Sequence, residues 1–106
     1  MKNITSERKF LIDRLGMLRN RANLSARELS QRMGKSIAYI AKFENGDFNI
    51  PTEALMDAIL ICGSTPEEFF WEDITNYKEQ KELITKFNQL SKNSKDTIIS
   101  LINNLK

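Results

Sequence analysis

Two short helical segments separated by only three residues constrain the fold of this chain more than any other feature of its sequence. Ser25 and Glu28 are spaced as a capping box, in which each side chain accepts a hydrogen bond from the other residue's backbone amide at the start of a helix. Gly34 is placed to end that helix, and Ser36 is placed as the N-cap of a second helix over residues 37–44. Two helices joined so tightly form a candidate helix-turn-helix.

The rest of the chain also has the pattern of helices, so the predicted fold class is all-α. Apolar residues recur three and four positions apart, valine is absent, and no segment alternates between apolar and polar residues as a strand does. Residues 73–76 are predicted to form a linker and residues 91–94 a turn. The predicted helices cover residues 7–22, 26–33, 37–44 and 51–62, a short segment after Thr65, and residues 77–90 and 95–105.

The composition excludes most classes of enzyme. The chain has no histidine and one cysteine, Cys62, so it lacks histidine-based acid–base chemistry, a catalytic triad, a Cys/His zinc site and an internal disulfide. Cys62 lies among aliphatic residues and is expected to be a buried, inert thiol. We therefore predict that the protein is not an enzyme and that it holds no metal and no cofactor.

No membrane segment or leader is expected. The longest nearly apolar run, residues 54–62, is far too short to cross a bilayer. Residues 1–9 lack the apolar region of a signal peptide. A cytoplasmic protein is the resulting expectation.

The charges are distributed unevenly along the chain, although the formal net charge is only +2. Residues 1–46 hold ten lysines and arginines against four acids, residues 47–75 hold seven acids and no base, and residues 76–106 hold six bases and three acids. The first segment can therefore present a basic face suited to a polyanion. The alternative is an ordinary solvated surface.

An ordered set of residues carries a resemblance to a known family. The set comprises Leu15, Leu18-Arg19, Leu24-Ser25, Glu28-Leu29, Gly34, Ser36, Tyr39-Ile40, Lys42 and Glu44-Asn45-Gly46, with Thr65 to Phe70 at its end. Over about residues 11–70 it resembles the Cro/phage-repressor (XRE) helix-turn-helix family, with its lambda-repressor-like DNA-binding domain. The resemblance implies a five-helix domain, here residues 7–73, and leaves residues 77–106 as a C-terminal helical hairpin.

The resemblance also implies a partner and a site. The second helix would cross the phosphate backbone of double-stranded DNA, and the third would lie in the major groove. Arg14, Arg21 and Arg32 would add to the positive field. The implied DNA-binding residues are Arg27, Lys35, Ser36, Ile37, Ala38, Tyr39 and Lys42, with the backbone amides of Asn45 and Gly46. The family pairs an arginine with the glutamate of its Glu-Asn-Gly motif, which here implies a structural ion pair between Arg19 and Glu44.

Several positions depart from the family's usual DNA contacts and leave a second function open. Ala26 stands where a glutamine is frequent, and Asp47 stands where the family often has a cation. Ile37 and Ala38 can contact thymine methyl groups but cannot hydrogen-bond to base edges. The alternative function is a protein-interaction module on the same fold, which would bind a protein partner through Ile37, Phe48 and the C-terminal helices.

The two C-terminal helices carry more apolar surface than an isolated hairpin of this size can bury. Their apolar stripes consist of Leu83, Ile84, Phe87, Leu90, Ile98, Leu101, Ile102 and Leu105. Recognition helices that work in pairs also need a two-fold mate. We therefore predict a homodimer held mainly by residues 77–106, with Trp71 at its rim and Phe69 in the core of the preceding domain.

Overall fold

The computed structural model describes residues 3–105, and every regular element in this range is a helix. The all-α prediction is therefore confirmed. The elements are α1 (Ser6–Arg21), α2 (Ala26–Arg32), α3 (Tyr39–Glu44), α4 (Thr52–Ile61), α5 (Pro66–Phe69), a 3₁₀ turn (Ile74–Asn76), α6 (Tyr77–Asn88) and α7 (Lys92–Asn104). The chain divides into two compact units between Trp71 and Glu72.

The first unit is built around one apolar core that holds α2 and α3 in place. α3 packs against both α1 and α2, and α4 packs against α1, α2 and α5. Phe69 is fully buried, as the sequence predicted. The core is formed by Leu15, Leu18, Leu24, Leu29, Met33, Ile40, Phe43, Ala54, Leu55, Ala58, Ile59, Cys62 and Phe69.

The start of α2 has the predicted capping box. The Ser25 hydroxyl accepts a hydrogen bond from the Glu28 amide at 3.0 Å, and the Glu28 carboxylate accepts one from the Ser25 amide at 3.0 Å. Leu24 and Leu29, on either side of this box, are both buried. Polar capping and apolar packing thus fix the same helix start.

The ends of α2 and α3 are set by glycines in the left-handed region. Gly34 has a φ of 71° and Gly46 a φ of 80°. These turns let the Lys35 amide donate to the Ser30 carbonyl at 3.0 Å and the Asp47 amide donate to the Lys42 carbonyl at 2.9 Å. Carbonyls at the helix ends are satisfied in this way, and a residue with a Cβ would be strained at either position.

The start of α3 differs from the prediction. The helix begins at Tyr39 rather than at residue 37, and Ser36 does not cap it with its side chain. The Ile40 amide donates to the Ser30 hydroxyl at 3.0 Å. In an α-helix that began at residue 37, this amide would donate to the Ser36 carbonyl instead. The Tyr39 amide instead donates to Ser36 in a tighter turn, at 3.0 Å.

Two boundaries in the second unit also differ from the prediction. α7 begins at Lys92 rather than at residue 95, because the Ser91 hydroxyl accepts from the Ser94 amide at 3.2 Å and acts as an N-cap. The supposed turn over residues 91–94 is therefore mostly the first turn of the helix. Residues 74–76 of the predicted linker form the 3₁₀ turn, in which the Asn76 side-chain amide donates to the Asp73 carboxylate at 3.0 Å.

In the second unit an open apolar groove lies between α6 and α7. Neither helix has a buried residue, and the groove encloses about 470 Å³. Ile99 lines the groove although it is not among the predicted stripe residues, whereas Leu101 and Leu105 do not line it. The lining residues are Leu83, Ile84, Lys86, Phe87, Leu90, Ile98, Ile99 and Ile102.

Candidate nucleic-acid interface

The arginines of α1 are engaged in contacts within the first unit. The Arg8 guanidinium donates to the Gly46 carbonyl at 2.9 Å and so ties α1 to the end of α3. The Arg14 guanidinium donates to the carbonyls of Phe69 and Trp71 at 2.7 and 2.6 Å, and it lies 4.7 Å from the centre of the Phe10 ring. Arg14 was expected to add to a DNA-binding field, but its charged group is directed to the C-terminal end of α5, where carbonyls lack helical partners.

Arg19 and Glu44 form a two-pronged ion pair between α1 and α3. Arg19 Nε lies 2.7 Å from Glu44 Oε1, and Arg19 Nη2 lies 3.1 Å from Glu44 Oε2. The third nitrogen, Nη1, donates to the Leu24 carbonyl at 2.9 Å. The side chains are only 15% and 22% exposed, so the pair is well shielded from water.

Arg21 forms a second such pair, which was not predicted from the sequence. Its two terminal nitrogens lie 2.8 and 3.1 Å from the two carboxylate oxygens of Glu68. Glu68 is buried and also accepts a hydrogen bond from the Ser64 hydroxyl. The hydrogen bond with Glu68 is the main cause that raises the pKa of Arg21. Arg21 therefore balances a buried carboxylate, and its expected contribution to a DNA-binding field is largely neutralised.

Three of the predicted DNA-binding residues are cations that are exposed and have no ion pair within the described part of the chain. They are Arg27 on α2, Lys35 in the turn and Lys42 on α3. Arg32 is also exposed, but its charge acts on Glu28, whose pKa it helps to lower after the two hydrogen bonds with Ser25. Among residues 3–71, the exposed cations without an ion pair thus lie on the helix-turn-helix itself.

A cluster of aromatic rings packs next to the turn between α2 and α3. Lys35 Nζ lies 5.3 Å from the centre of the Tyr39 ring, within the range of a cation–π contact. The Tyr39 ring packs at 5.0 Å on Phe48, which in turn lies 6.1 Å from the buried ring of Phe43. Phe48 is half-buried in this stack, so it supports the turn rather than forming a free apolar contact.

The backbone amides of Asn45 and Gly46, which the family resemblance assigned to DNA binding, already make hydrogen bonds within the first unit. The Asn45 amide donates to the Ala41 carbonyl at 3.0 Å, and the Gly46 amide donates to the Phe43 carbonyl at 2.9 Å. Gly46 is also buried. Both amides complete the end of α3, because a helix that stops through a left-handed residue turns these donors back onto its own carbonyls.

The residues just before α3 present small and apolar groups. Ile37 is 50% exposed, Ala38 is half-buried, and Ser36 is exposed. Neither Ile37 nor Ala38 carries a side-chain hydrogen-bond donor or acceptor. At these two positions the side chains can therefore offer only van der Waals contacts.

The hydroxyl of Ser30 is the structural contact that sequence reasoning missed most clearly. It donates to the Ala26 carbonyl at 2.8 Å and accepts from the Ile40 amide at 3.0 Å, so one side chain links α2 to α3. A serine on the buried side of an amphipathic helix, one position after Leu29, was the available signal. A buried hydroxyl requires partners, and here the neighbouring helix supplies one.

Other kinds of site find no support in residues 3–105. Within that range no group of three or more histidines, cysteines, aspartates or glutamates is placed to hold a metal ion. Cys62 is buried as predicted, and burial raises the pKa of its thiol. None of the helices described is long and apolar enough to pass through a bilayer.

Comparison with known protein families supports this arrangement of helices. A model of the helix-turn-helix family matches residues 15–69, which span α1 from Leu15 to the end of α5. No curated protein and no solved structure matches the chain significantly.

Proposed function

The chain belongs to the Cro/repressor-type (XRE) helix-turn-helix family, and from this premise we propose that it is a transcriptional regulator that binds an operator in double-stranded DNA. Its matched region covers all the elements that carry the candidate interface. In the proposed complex α2 crosses the phosphate backbone and α3 enters the major groove. Regulation would follow from occupancy of the operator, with no catalytic step, in the cytoplasm where the DNA is.

The observation that carries the proposal is the position of the uncompensated cations. Arg27, Lys35 and Lys42 are exposed and have no ion pair in the described residues, whereas Arg19 and Arg21 are paired with carboxylates. A cation that is not neutralised by its own protein can replace counterions on DNA phosphates. Lys35 lies in the turn between the two helices with which the family contacts DNA, Arg27 lies on α2, and Lys42 lies on α3.

A salt series with fluorescently labelled duplexes tests the proposal. Fluorescence anisotropy with random-sequence DNA should give an affinity whose logarithm falls with the logarithm of salt concentration, at a slope of roughly −0.9 per phosphate neutralised. Lys35→Ala and Lys42→Ala should each weaken binding and reduce the slope by about one phosphate contact.

Lys9→Ala is the matched control, because it removes the same charge from an exposed lysine of α1 that pairs with Asp13 outside the proposed interface. It should bind like the native protein. If the native chain binds no duplex at low salt, the DNA-binding proposal is wrong. The protein-interaction alternative, in which the exposed Ile37 contacts a protein partner, then becomes the better explanation.

We also propose that the functional form is a homodimer joined through the second unit. α6 and α7 leave an apolar groove open, and Leu83, Ile84 and Ile102 are all exposed there. A second copy is the proposed occupant, because two hairpins around a two-fold axis would bury both stripes as four packed helices. The same two-fold symmetry would bring two recognition helices to successive half-sites.

A further inference from the structure

The exposed side of α4 carries an acidic row beside an apolar row. Glu53 and Asp57 are four residues apart, as are Met56 and Leu60, so the two pairs lie side by side on the helix surface. All four residues are exposed, and together we call them the α4 face. The opposite side of the helix consists of the buried residues Ala54, Leu55, Ala58 and Ile59.

The apolar row of the α4 face is left open to solvent. Leu60 is 60% exposed, the highest value among the large apolar residues of positions 3–71, and Met56 is 37% exposed. Isolated apolar side chains are common on protein surfaces, but two at adjacent positions of one helix form a strip that another chain can cover. Because covering this strip removes apolar area from water, contact with an apolar partner is favourable there.

The acidic row makes the α4 face negative. Glu53 and Asp57 have no ion pair within residues 3–105, and like charges at this spacing slightly destabilise a helix. Residues 47–75 contain no lysine or arginine. The last turn of α4 also has no base, so the partial negative charge at the C-terminal end of the helix adds to the two carboxylates.

Charge complementarity selects the kind of partner. A polyanion such as DNA is repelled by two unpaired carboxylates, so the α4 face fits a different molecule from the one proposed for α2 and α3. An apolar strip beside an acidic row matches a helix that has apolar side chains along one stripe and lysines or arginines next to that stripe.

We propose that the α4 face binds a basic amphipathic helix of a protein partner. Apolar side chains of the partner cover Met56 and Leu60, and its cations approach Glu53 and Asp57. This surface goes beyond the proposed DNA-binding function, because it gives the first unit a second binding site with the opposite charge. A chain that holds DNA through α2 and α3 then brings a second protein to the same place.

Two synthetic peptides serve as probes for the full-length chain. One consists of leucine and lysine, with the leucines spaced along one helical stripe, and the other has glutamate in place of every lysine. Fluorescence anisotropy at low salt should show binding of the leucine–lysine peptide, with an affinity that falls as salt is added. The leucine–glutamate peptide should bind at least about tenfold more weakly, because its charge is reversed. Chemical-shift changes in nuclear magnetic resonance spectra should concentrate on residues 53–60.

Protein variants test whether the α4 face is the site. Leu60→Ala should weaken binding of the leucine–lysine peptide about tenfold, because most of the covered apolar side chain is removed. Met56→Ala should also weaken it, and Met17→Ala is the matched control, since Met17 is a methionine of α1 that is likewise 37% exposed. Asp57→Asn should make the affinity less sensitive to salt. All these residues are exposed, so the variants should remain folded, as checked by circular dichroism.

The outcomes separate the possible occupants. Weaker peptide binding by Leu60→Ala, with native affinity in Met17→Ala, supports the inference. Failure of the native chain to bind the leucine–lysine peptide, equal binding of both peptides, or native affinity in Leu60→Ala overturns it. A loss of self-association in Leu60→Glu, measured by sedimentation equilibrium, would identify a second copy as the occupant and would also overturn it. None of these measurements uses DNA, so their result is independent of whether the chain binds an operator.

Discussion

Arginines of the first unit have different roles although they look alike in the sequence. Arg19 and Arg21 neutralise carboxylates that lie in or near the core, and Arg14 donates to carbonyls at the end of α5. Arg27 is exposed and has no such partner in residues 3–105. Only an exposed arginine without such a partner, such as Arg27, has its charge available for another molecule. The pairing pattern therefore separates structural arginines from candidate binding residues.

The Arg19–Glu44 pair gives the first prediction at this scale. Arg19→Met or Glu44→Gln alone should lower the free energy of unfolding by about 1–3 kcal/mol, because each leaves a shielded group without its partner. The double variant should be less destabilised than the sum of the two single variants, with a coupling of about 1 kcal/mol or more. Urea denaturation of the four proteins measures this. Additive effects of the two substitutions would mean that the pair does not stabilise the fold.

Contacts between residues could be predicted where a family motif includes both partners. They could not be predicted where one partner also has a separate local role. The resemblance to the repressor family led directly to the Arg19–Glu44 pair. The Arg21–Glu68 pair joins residues 47 positions apart. Glu68 also fits the N3 position of the capped helix after Thr65, and its amide does donate to the Thr65 hydroxyl at 3.2 Å. The capping position of Glu68 was sufficient to explain this residue from the sequence, so its ion pair with Arg21 was not predicted.

At the scale of elements, α2 and α3 are too short to be stable alone. They contain seven and six residues, well below the length at which an isolated helix persists in water. Their stability comes from the capping box, the glycine stops, the shared Ser30 hydroxyl and the core. The starts and stops with their own local signal, such as Ser25 and Gly34, were predicted correctly.

The boundaries that were missed depend on partners outside the local pattern. α3 starts late because Ser30, ten residues earlier, takes the Ile40 amide. α7 starts early because Ser91 caps it without the glutamate three residues later that made Ser25 recognisable. A serine N-cap with another serine at the third position of the helix, as at Ser91 and Ser94, gives only a weak indication of a helix start. The composition of residues 91–94 is instead typical of a turn.

The capping box of α2 gives a pH-dependent prediction. Hydrogen bonding to the Ser25 amide, and then to the Ser25 hydroxyl, lowers the pKa of Glu28 below its ordinary value. The folded state therefore gains stability from ionised Glu28 at a pH above the unfolded pKa, and it loses that stability as the pH falls through the lowered folded pKa. Glu28→Gln does not titrate, so its deficit in melting temperature relative to the native protein should shrink on acidification.

Thermal melts followed by circular dichroism from neutral to acidic pH provide the measurement. Glu53→Gln is the control for loss of an acid from the first turn of a helix, because α4 begins after Pro51 without a side-chain cap. A deficit of Glu28→Gln that stays constant over the whole pH range would contradict the prediction.

For the whole molecule, the second unit leads to the prediction of a dimer. Leu83 is 68% exposed and lines the apolar groove. Leu83→Glu should weaken self-association at least about tenfold, because a carboxylate in an apolar interface costs more than about 1.4 kcal/mol. Sedimentation equilibrium of the full chain measures this, and Leu60→Glu, the same change on α4, should leave self-association intact.

A native chain that stays monomeric at high micromolar concentration would rule out the dimer. The sequence predicted the apolar stripes of this unit but not which of their members face each other. Ile99 lines the groove while Leu101 and Leu105 do not. Helical spacing alone gives a broad stripe, and the relative rotation of two helices determines which part of that stripe is shared.

The hydrogen bonds of Ser30 to α2 and α3 have a consequence for the energetics of the molecule as a whole. Because one hydroxyl joins the two helices in the free protein, we expect the helix-turn-helix to be folded before a partner binds. Calorimetry of complex formation should then show a heat-capacity change proportional to the contact area alone, without the large additional decrease of coupled folding. The enthalpy of binding would in turn vary less steeply with temperature than in a complex whose formation is coupled to folding.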